Sequence, residues 1–138
     1  MEKFRYIDHT GDLGVEVFGD SLSRLFQNAG EAFADIMTDL RAVRRHESKA
    51  VSLEADRIED LLVHWLNEFI FFFETEGLLF SGFEIDSIDD THIEARIHGE
   101  PYDENRHTIK TTAKSATYHH LEVVRQEDVW KATVIFDL

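Results

Sequence analysis

The residues best suited to chemistry sit at the two ends of the chain. Near the start, Asp8-His9-Thr10-Gly11-Asp12-Leu13-Gly14 packs two aspartates, a histidine and two glycines into seven positions. Near the finish, an apolar stretch from Val129 to Phe136 runs into Asp137-Leu138. A side-chain carboxylate is therefore followed, one residue later, by the main-chain carboxylate. If the opening motif folds against that end, Asp12, Asp137 and the carboxylate of Leu138 become a cluster of oxygen donors. Such sites suit hard cations, namely calcium, magnesium or manganese. Crowded carboxylates also demand a counter-charge: two of them about 4 Å apart repel by roughly 4 kcal/mol at an effective dielectric of about 20. A retained proton, a basic side chain or a bound cation relieves that repulsion. Lys114 and His107 are the basic candidates.

The same motif also has a plainer reading as a strand-connecting turn. Gly11 and Gly14 reach backbone angles closed to other residues, and Asp8 and Asp12 accept hydrogen bonds from turn amides. His9 fits a base, a metal ligand or a turn residue bonded to backbone, and on spacing alone the last is favoured. A second polar constellation comprises Gly99-Glu100-Pro101-Tyr102-Asp103, His107 and Lys114-Ser115-Ala116-Thr117-Tyr118-His119. It would line a polar site near the opening motif, with Asp8, His9, His107 and Lys114 as neighbours of the carboxylates. By spacing alone, a solvated loop leading into a strand is the favoured reading. The eight histidines show no His-x-x-x-His spacing, and there is no phosphate loop or Gly-x-Ser-x-Gly elbow.

Composition narrows the partner classes. The 138 residues suit a single domain spanning 1–138, and 43% hydrophobic with 30% charged residues is a globular composition. Cysteine is absent, which excludes disulfides and zinc–thiolate sites and agrees with a reducing compartment. The start lacks the apolar run of a signal peptide, and Phe69-Ile70-Phe71-Phe72-Phe73 is far too short to span a bilayer. A cytoplasmic protein with no membrane association is expected. Acidic residues outnumber basic ones 28 to 14, for a net charge of −14. Nucleic-acid affinity rests on Lys and Arg displacing counterions, so direct RNA or DNA binding is disfavoured. A cation or a basic protein is the better partner.

Hydrophobic periodicity predicts the elements that must position these residues. Leu22, Leu25, Phe26, Ala29, Ala32, Phe33, Ile36 and Met37 form one helical stripe, with Ser21 as its N-cap. Ile58, Leu61, Leu62, Trp65, Leu66, Phe69, Ile70 and Phe73 form a heavier one, with Asp56 as its cap and Gly77 as its end. Phe71 lies opposite that stripe, and the expectation is that another element covers it. Period-two alternation marks strands at Leu13–Val17, Val51–Ala55, Ile93–Ile97 and Trp130–Phe136, with Asp89-Asp90 as a hairpin turn. The order is strand, strand, helix, strand, helix, then four strands. That is α+β: two amphipathic helices on a largely antiparallel or mixed sheet.

Taken together, these motifs resemble the archease family. The resemblance runs through Asp8 to Gly14, Gly19-Asp20-Ser21-Leu22, Leu61-Leu62-Val63-His64-Trp65-Leu66-Asn67-Glu68, Gly99-Glu100, His107, Lys114 to His119 and Asp137-Leu138. It covers essentially the whole chain, in order. Gly11 stands where the family usually has alanine, Leu138 where it has isoleucine or valine, and Ser115 where alanine follows the lysine. None of these departures removes a charge. The resemblance implies a non-catalytic accessory protein of the GTP-dependent tRNA-splicing RNA ligase, one that promotes guanylylation of the ligase and its repeated turnover. It also implies a divalent-cation site at Asp12, Asp137 and Leu138, with calcium favoured over magnesium or manganese. Leu138 would contribute main-chain oxygen, so its side-chain identity is secondary.

Two other functions fit the residues. A metal-dependent phosphohydrolase would use the carboxylates with His9 as base. An acidic, chaperone-like interaction module would bind through Phe71 and the loop from Gly99 to Ala116. The terminal ligand makes a practical prediction. A tag fused after Leu138 should weaken calcium or manganese binding, measured by calorimetry, more than a tag fused before Met1. Equal affinities would count against Leu138 as a ligand.

Overall fold

Antiparallel pairing between the beginning and the end of the chain organises the fold. The structure, a computed structural model, describes residues 2–9 and 11–138, and all of their side chains except those of Asp8 and His9. Strand β1 (Phe4–His9) turns into β2 (Asp12–Gly19), helix α1 follows (Leu22–Met37), then a 3-10 turn (Leu40–Ala42), β3 (Glu47–Glu54) and helix α2 (Ile58–Glu76). Strands β4 (Leu78–Ile88), β5 (His92–Pro101), β6 (Ser115–Gln126) and β7 (Val129–Asp137) complete the chain. The expected order of elements is the observed one. The strands divide into two antiparallel sheets, β1-β2-β7-β6 and β3-β5-β4.

The two helices join the sheets. Helix α1 packs on β2 and β4, and α2 on β6 and β4. An aromatic chain runs from one sheet to the other: Phe136 of β7 meets Phe33 at 5.9 Å, Phe33 meets Phe69 at 5.7 Å, and Phe69 meets Phe83 of β4 at 5.2 Å. Trp65 packs edge-on against Phe69 at 4.7 Å, and its indole N–H donates to the Phe26 carbonyl at 2.9 Å. That bond satisfies the one polar atom of a fully buried ring. The alternating faces behave as their period dictates: Val15, Val17, Ala132, Val134, Phe136, Ile93, Ala95 and Ile97 all point into the core.

Local signals set the helix ends. The Ser21 hydroxyl accepts the Arg24 N–H at 3.1 Å, and Gly77 closes α2 in the left-handed conformation at φ 66°. Two expectations are corrected. Asp56 does not cap α2. Arg57 is the cap residue, makes no side-chain cap bond, and pairs instead with Asp60 in the first turn. Acidic Glu59 and Asp60 favour the helix start through its dipole. Phe71 is not covered by another element. Both sheets lie on the opposite side of α2, and Phe71 is 54% exposed. The hairpin at Asp89 is as expected, with its carboxylate accepting the Thr91 N–H at 2.9 Å.

Truncating the residue that joins these layers should be costly. Trp65→Ala removes a fully buried ring and its bond to the Phe26 carbonyl, so it should lower unfolding free energy in urea by about 3–5 kcal/mol. A loss below about 1 kcal/mol would show that the aromatic chain does not hold the sheets together.

Candidate functional site

The four strands of the first sheet bring the two ends of the chain to one edge. In β1–β2, His9 pairs with Asp12, and the intervening Gly11 takes φ 77°, as a tight two-residue turn requires. In β2–β7, Leu13 pairs with Phe136. One more step in that register sets Asp12 across from Asp137, which are the first residue of β2 and the last of β7. Directly paired residues have Cα atoms about 4.5–5.5 Å apart and project to the same face. On the other side of β7, Asp137 pairs with Ser115, and its carbonyl accepts the Lys114 N–H at 2.8 Å.

Alternation decides which face the carboxylates use. Leu13 and Phe136 point to the core, so Asp12 and Asp137 point to the outer face of the sheet. Asp12 is half-buried, and Asp137 and Leu138 are exposed. Gly14 supports this edge by lacking a side chain. A Cβ there would lie 2.5 Å from Cγ1 of Ile7 and 2.9 Å from Cδ1 of Ile135, so glycine lets those two residues close over β2. Further along the same face, Glu16 is neutralised by Lys131 at 2.8 Å and Arg5 at 2.9 Å. Those two bonds hold its carboxyl below the usual carboxylate range.

Lys114 is therefore brought beside Asp137 through its main chain. His107 is placed differently. It is buried in the segment joining β5 to β6, and both ring nitrogens are engaged there. The Asp103 N–H donates to Nδ1 at 3.0 Å, which leaves the ring proton on Nε2, 2.9 Å from Glu100. Glu100 also accepts the Arg44 N–H at 2.7 Å and Arg106 Nη1 at 2.8 Å. The side chains of Asp8 and His9 lie outside the described residues. Among the described residues, no three histidine, aspartate or glutamate side chains form a metal-binding group. A cation here would thus draw on Asp12, Asp137 and main-chain oxygen. That all-oxygen donor set fits calcium, magnesium or manganese.

Sequence patterning did not single out the group formed by Tyr6, Asp35 and Lys110. The Tyr6 hydroxyl donates to Asp35, and the Lys110 ammonium stands 3.7 Å from the same carboxylate. Partial burial, then the Asp35 carboxylate, keeps the Tyr6 hydroxyl well above the usual phenol range. These residues border an open cavity of about 220 Å³ floored by Leu13 and Ile36, next to Asp12 in the chain. The only advance signal was the turn-like polarity of the segment carrying Lys110.

Burial pushes the Glu100 carboxyl up, but the bonds from Arg44, Arg106 and His107 outweigh it and hold the carboxyl at about 2, below its ordinary 4.5. Because the folded value is depressed, this contribution to stability is complete above pH 4.5 and is lost as pH falls toward 2. Glu100→Gln should flatten the fall in unfolding free energy across that window in acid titrations. An unchanged slope would show that Glu100 is not the group responsible.

A family model described as the Archease protein family (MTH1598/TM1083) matches residues 4–138. The chain is 31% identical over 140 residues to the protein archease of Sulfurisphaera tokodaii, covering all of both proteins. It is 36% identical over 135 residues to the protein archease of Methanopyrus kandleri, covering 96% of each. Among solved structures, the solution structure of Methanobacterium thermoautotrophicum protein 1598 aligns over both full chains with a TM-score of 0.82 and 32% identity. A crystal structure described as an archease, possible chaperone, from Thermotoga maritima shares the fold, with a TM-score of 0.67 and 22% identity over 96% of this chain.

Proposed function

Because the chain belongs to the archease family, we propose that it is a non-catalytic, cation-binding activator of a GTP-dependent RNA-splicing ligase. In this reading it acts in the cytoplasm in tRNA splicing and RNA repair, promoting guanylylation of the ligase and repeated turnover. The observation that supports the reading is the register of β2 on β7, which pairs Leu13 with Phe136; one further step would bring Asp12 across from Asp137, with Leu138 one residue on. Asp12, Asp137 and the main-chain oxygen of Leu138 would hold a divalent cation, with calcium favoured and magnesium or manganese as alternatives. Two carboxylates about 5 Å apart repel by roughly 3 kcal/mol at an effective dielectric near 20, which a bound cation reverses into attraction. When bound, the cation supplies positive charge that can neutralise phosphate oxygens.

The chain's own residues define the rest of the role. Gly14, Ile7 and Ile135 make the outer face firm beneath the carboxylates. Lys114 N–H fixes the Asp137 carbonyl, so the strand end is ordered up to the ligands. A net charge of −14 favours a basic protein surface over RNA itself and speeds encounter with it. His107, the other basic candidate by sequence, is committed to Glu100 and Asp103. No helix among the described residues is long and apolar enough to cross a membrane.

The test is multiple-turnover ligation by the ligase of the same organism. Wild-type protein should raise turnover, and Asp12→Ala and Asp137→Ala should each abolish at least nine-tenths of that gain while leaving the cation-free melting temperature nearly unchanged. Full activation by both variants would remove the cation site from the mechanism. No activation by wild type would remove the activator role itself.

A further inference from the structure

The outer face of α2 carries a feature that the carboxylate edge does not explain. Phe71 is 54% exposed, and it is flanked at three residues on either side by Glu68 and Glu74. Residues three apart on a helix are surface neighbours, so the ring stands between two acids. Glu68 is half-buried, and no hydrogen bond or ion pair ties its carboxyl to a described residue. Burial alone acts on it, pushing the carboxyl up. On the same helix, Glu76 pairs with Lys49 and Asp60 with Arg57. An exposed ring beside a half-buried carboxylate offers a partner both a stacking face and a hydrogen-bond acceptor.

The helix that carries this patch is tied to the first sheet. The Asn67 side chain accepts the Ala116 N–H at 2.8 Å, which ties α2 to the start of β6. Arg57, held mainly by Asp60, lies within electrostatic reach of Tyr118. Phe71 lies one helical turn beyond Asn67 on α2.

We propose that Phe71 and Glu68 form a docking site for an arginine of the partner protein, its guanidinium stacked on the Phe71 ring and its N–H donors paired with the Glu68 carboxylate. Glu74 adds negative charge at the rim. Arginine suits the site because its planar guanidinium stacks on aromatic rings and pairs with carboxylate in fork geometry, whereas lysine offers a strongly hydrated point charge. The occupant follows from charge: a protein of net charge −14 with an unmatched carboxylate selects a basic face. Identifying that face with the ligase rests on the function proposed above.

Titration of the activator into the same ligase separates the two ideas. Phe71→Ala and Glu68→Gln should each raise the concentration for half-maximal activation about tenfold, as loss of a central aromatic or charged anchor does. Both should reach the wild-type plateau at saturation. Asp12→Ala should instead lower the plateau. Wild-type activation with unshifted Phe71→Ala and Glu68→Gln curves would overturn the docking site and leave the activator role standing. If wild type fails to bind the ligase, NMR titration with hexa-arginine and hexa-lysine decides the site. The Phe71 ring and Glu68 resonances should move with hexa-arginine and scarcely with hexa-lysine. No movement, or equal movement with both peptides, would overturn it.

Discussion

Everything at the functional edge depends on one register, that of β2 against β7. The pairing joins residues more than a hundred positions apart, and it is pinned by apolar alternation: Val15 against Val134 and Val17 against Ala132 face the core together. A slip of one residue would turn Val15 and Val17 against the outward-facing side of β7 and bury Glu16. The hydrophobic cost of that slip is what holds the start of β2 against the end of β7.

The second sheet and the helices serve the same edge from behind. The aromatic chain from Phe136 through Phe33 and Phe69 to Phe83 makes the two sheets one core. The segment between β5 and β6 is then fastened at successive points: His107 to Glu100, the Thr38 hydroxyl to the Thr108 carbonyl, the Lys110 N–H to the Met37 carbonyl and the Lys114 N–H to Asp137. A polar segment is thereby ordered without a core of its own. Glu100 is the centre of the fastening, since one carboxylate satisfies donors from Arg44, Arg106 and His107.

Charge is distributed with the same economy. Over much of the surface, acids have nearby bases, as Glu16 has Arg5 and Lys131 and Asp86 has Arg96. The excess negative charge includes the strand ends at Asp137 and the outer face of α2 at Glu68. Asn67 ties α2 to the start of β6, the strand that pairs with β7. In the proposed reading, the strand ends are completed by a cation and the helix face by a guanidinium.

Local order was legible in the residues themselves. The two helical stripes, the Ser21 cap, the Gly77 stop, the Asp89 turn and the succession of elements follow from side-chain period and backbone preference, which act over a few positions. The sequence also resembled its family through motifs spread along the whole chain. What it could not carry was pairing at a distance. The split into two sheets, the burial of His107 against Glu100, the exposure of Phe71 and the Tyr6–Asp35–Lys110 group depend on which surfaces meet. Periodicity shows that Phe71 lies off the apolar stripe, but only the stacking of both sheets on the other side of α2 decides that solvent faces it. Likewise, Asp12 and Asp137 are acids at the ends of strands by sequence alone. Their strand ends are brought together because burying Leu13 and Phe136 on one face admits a single register.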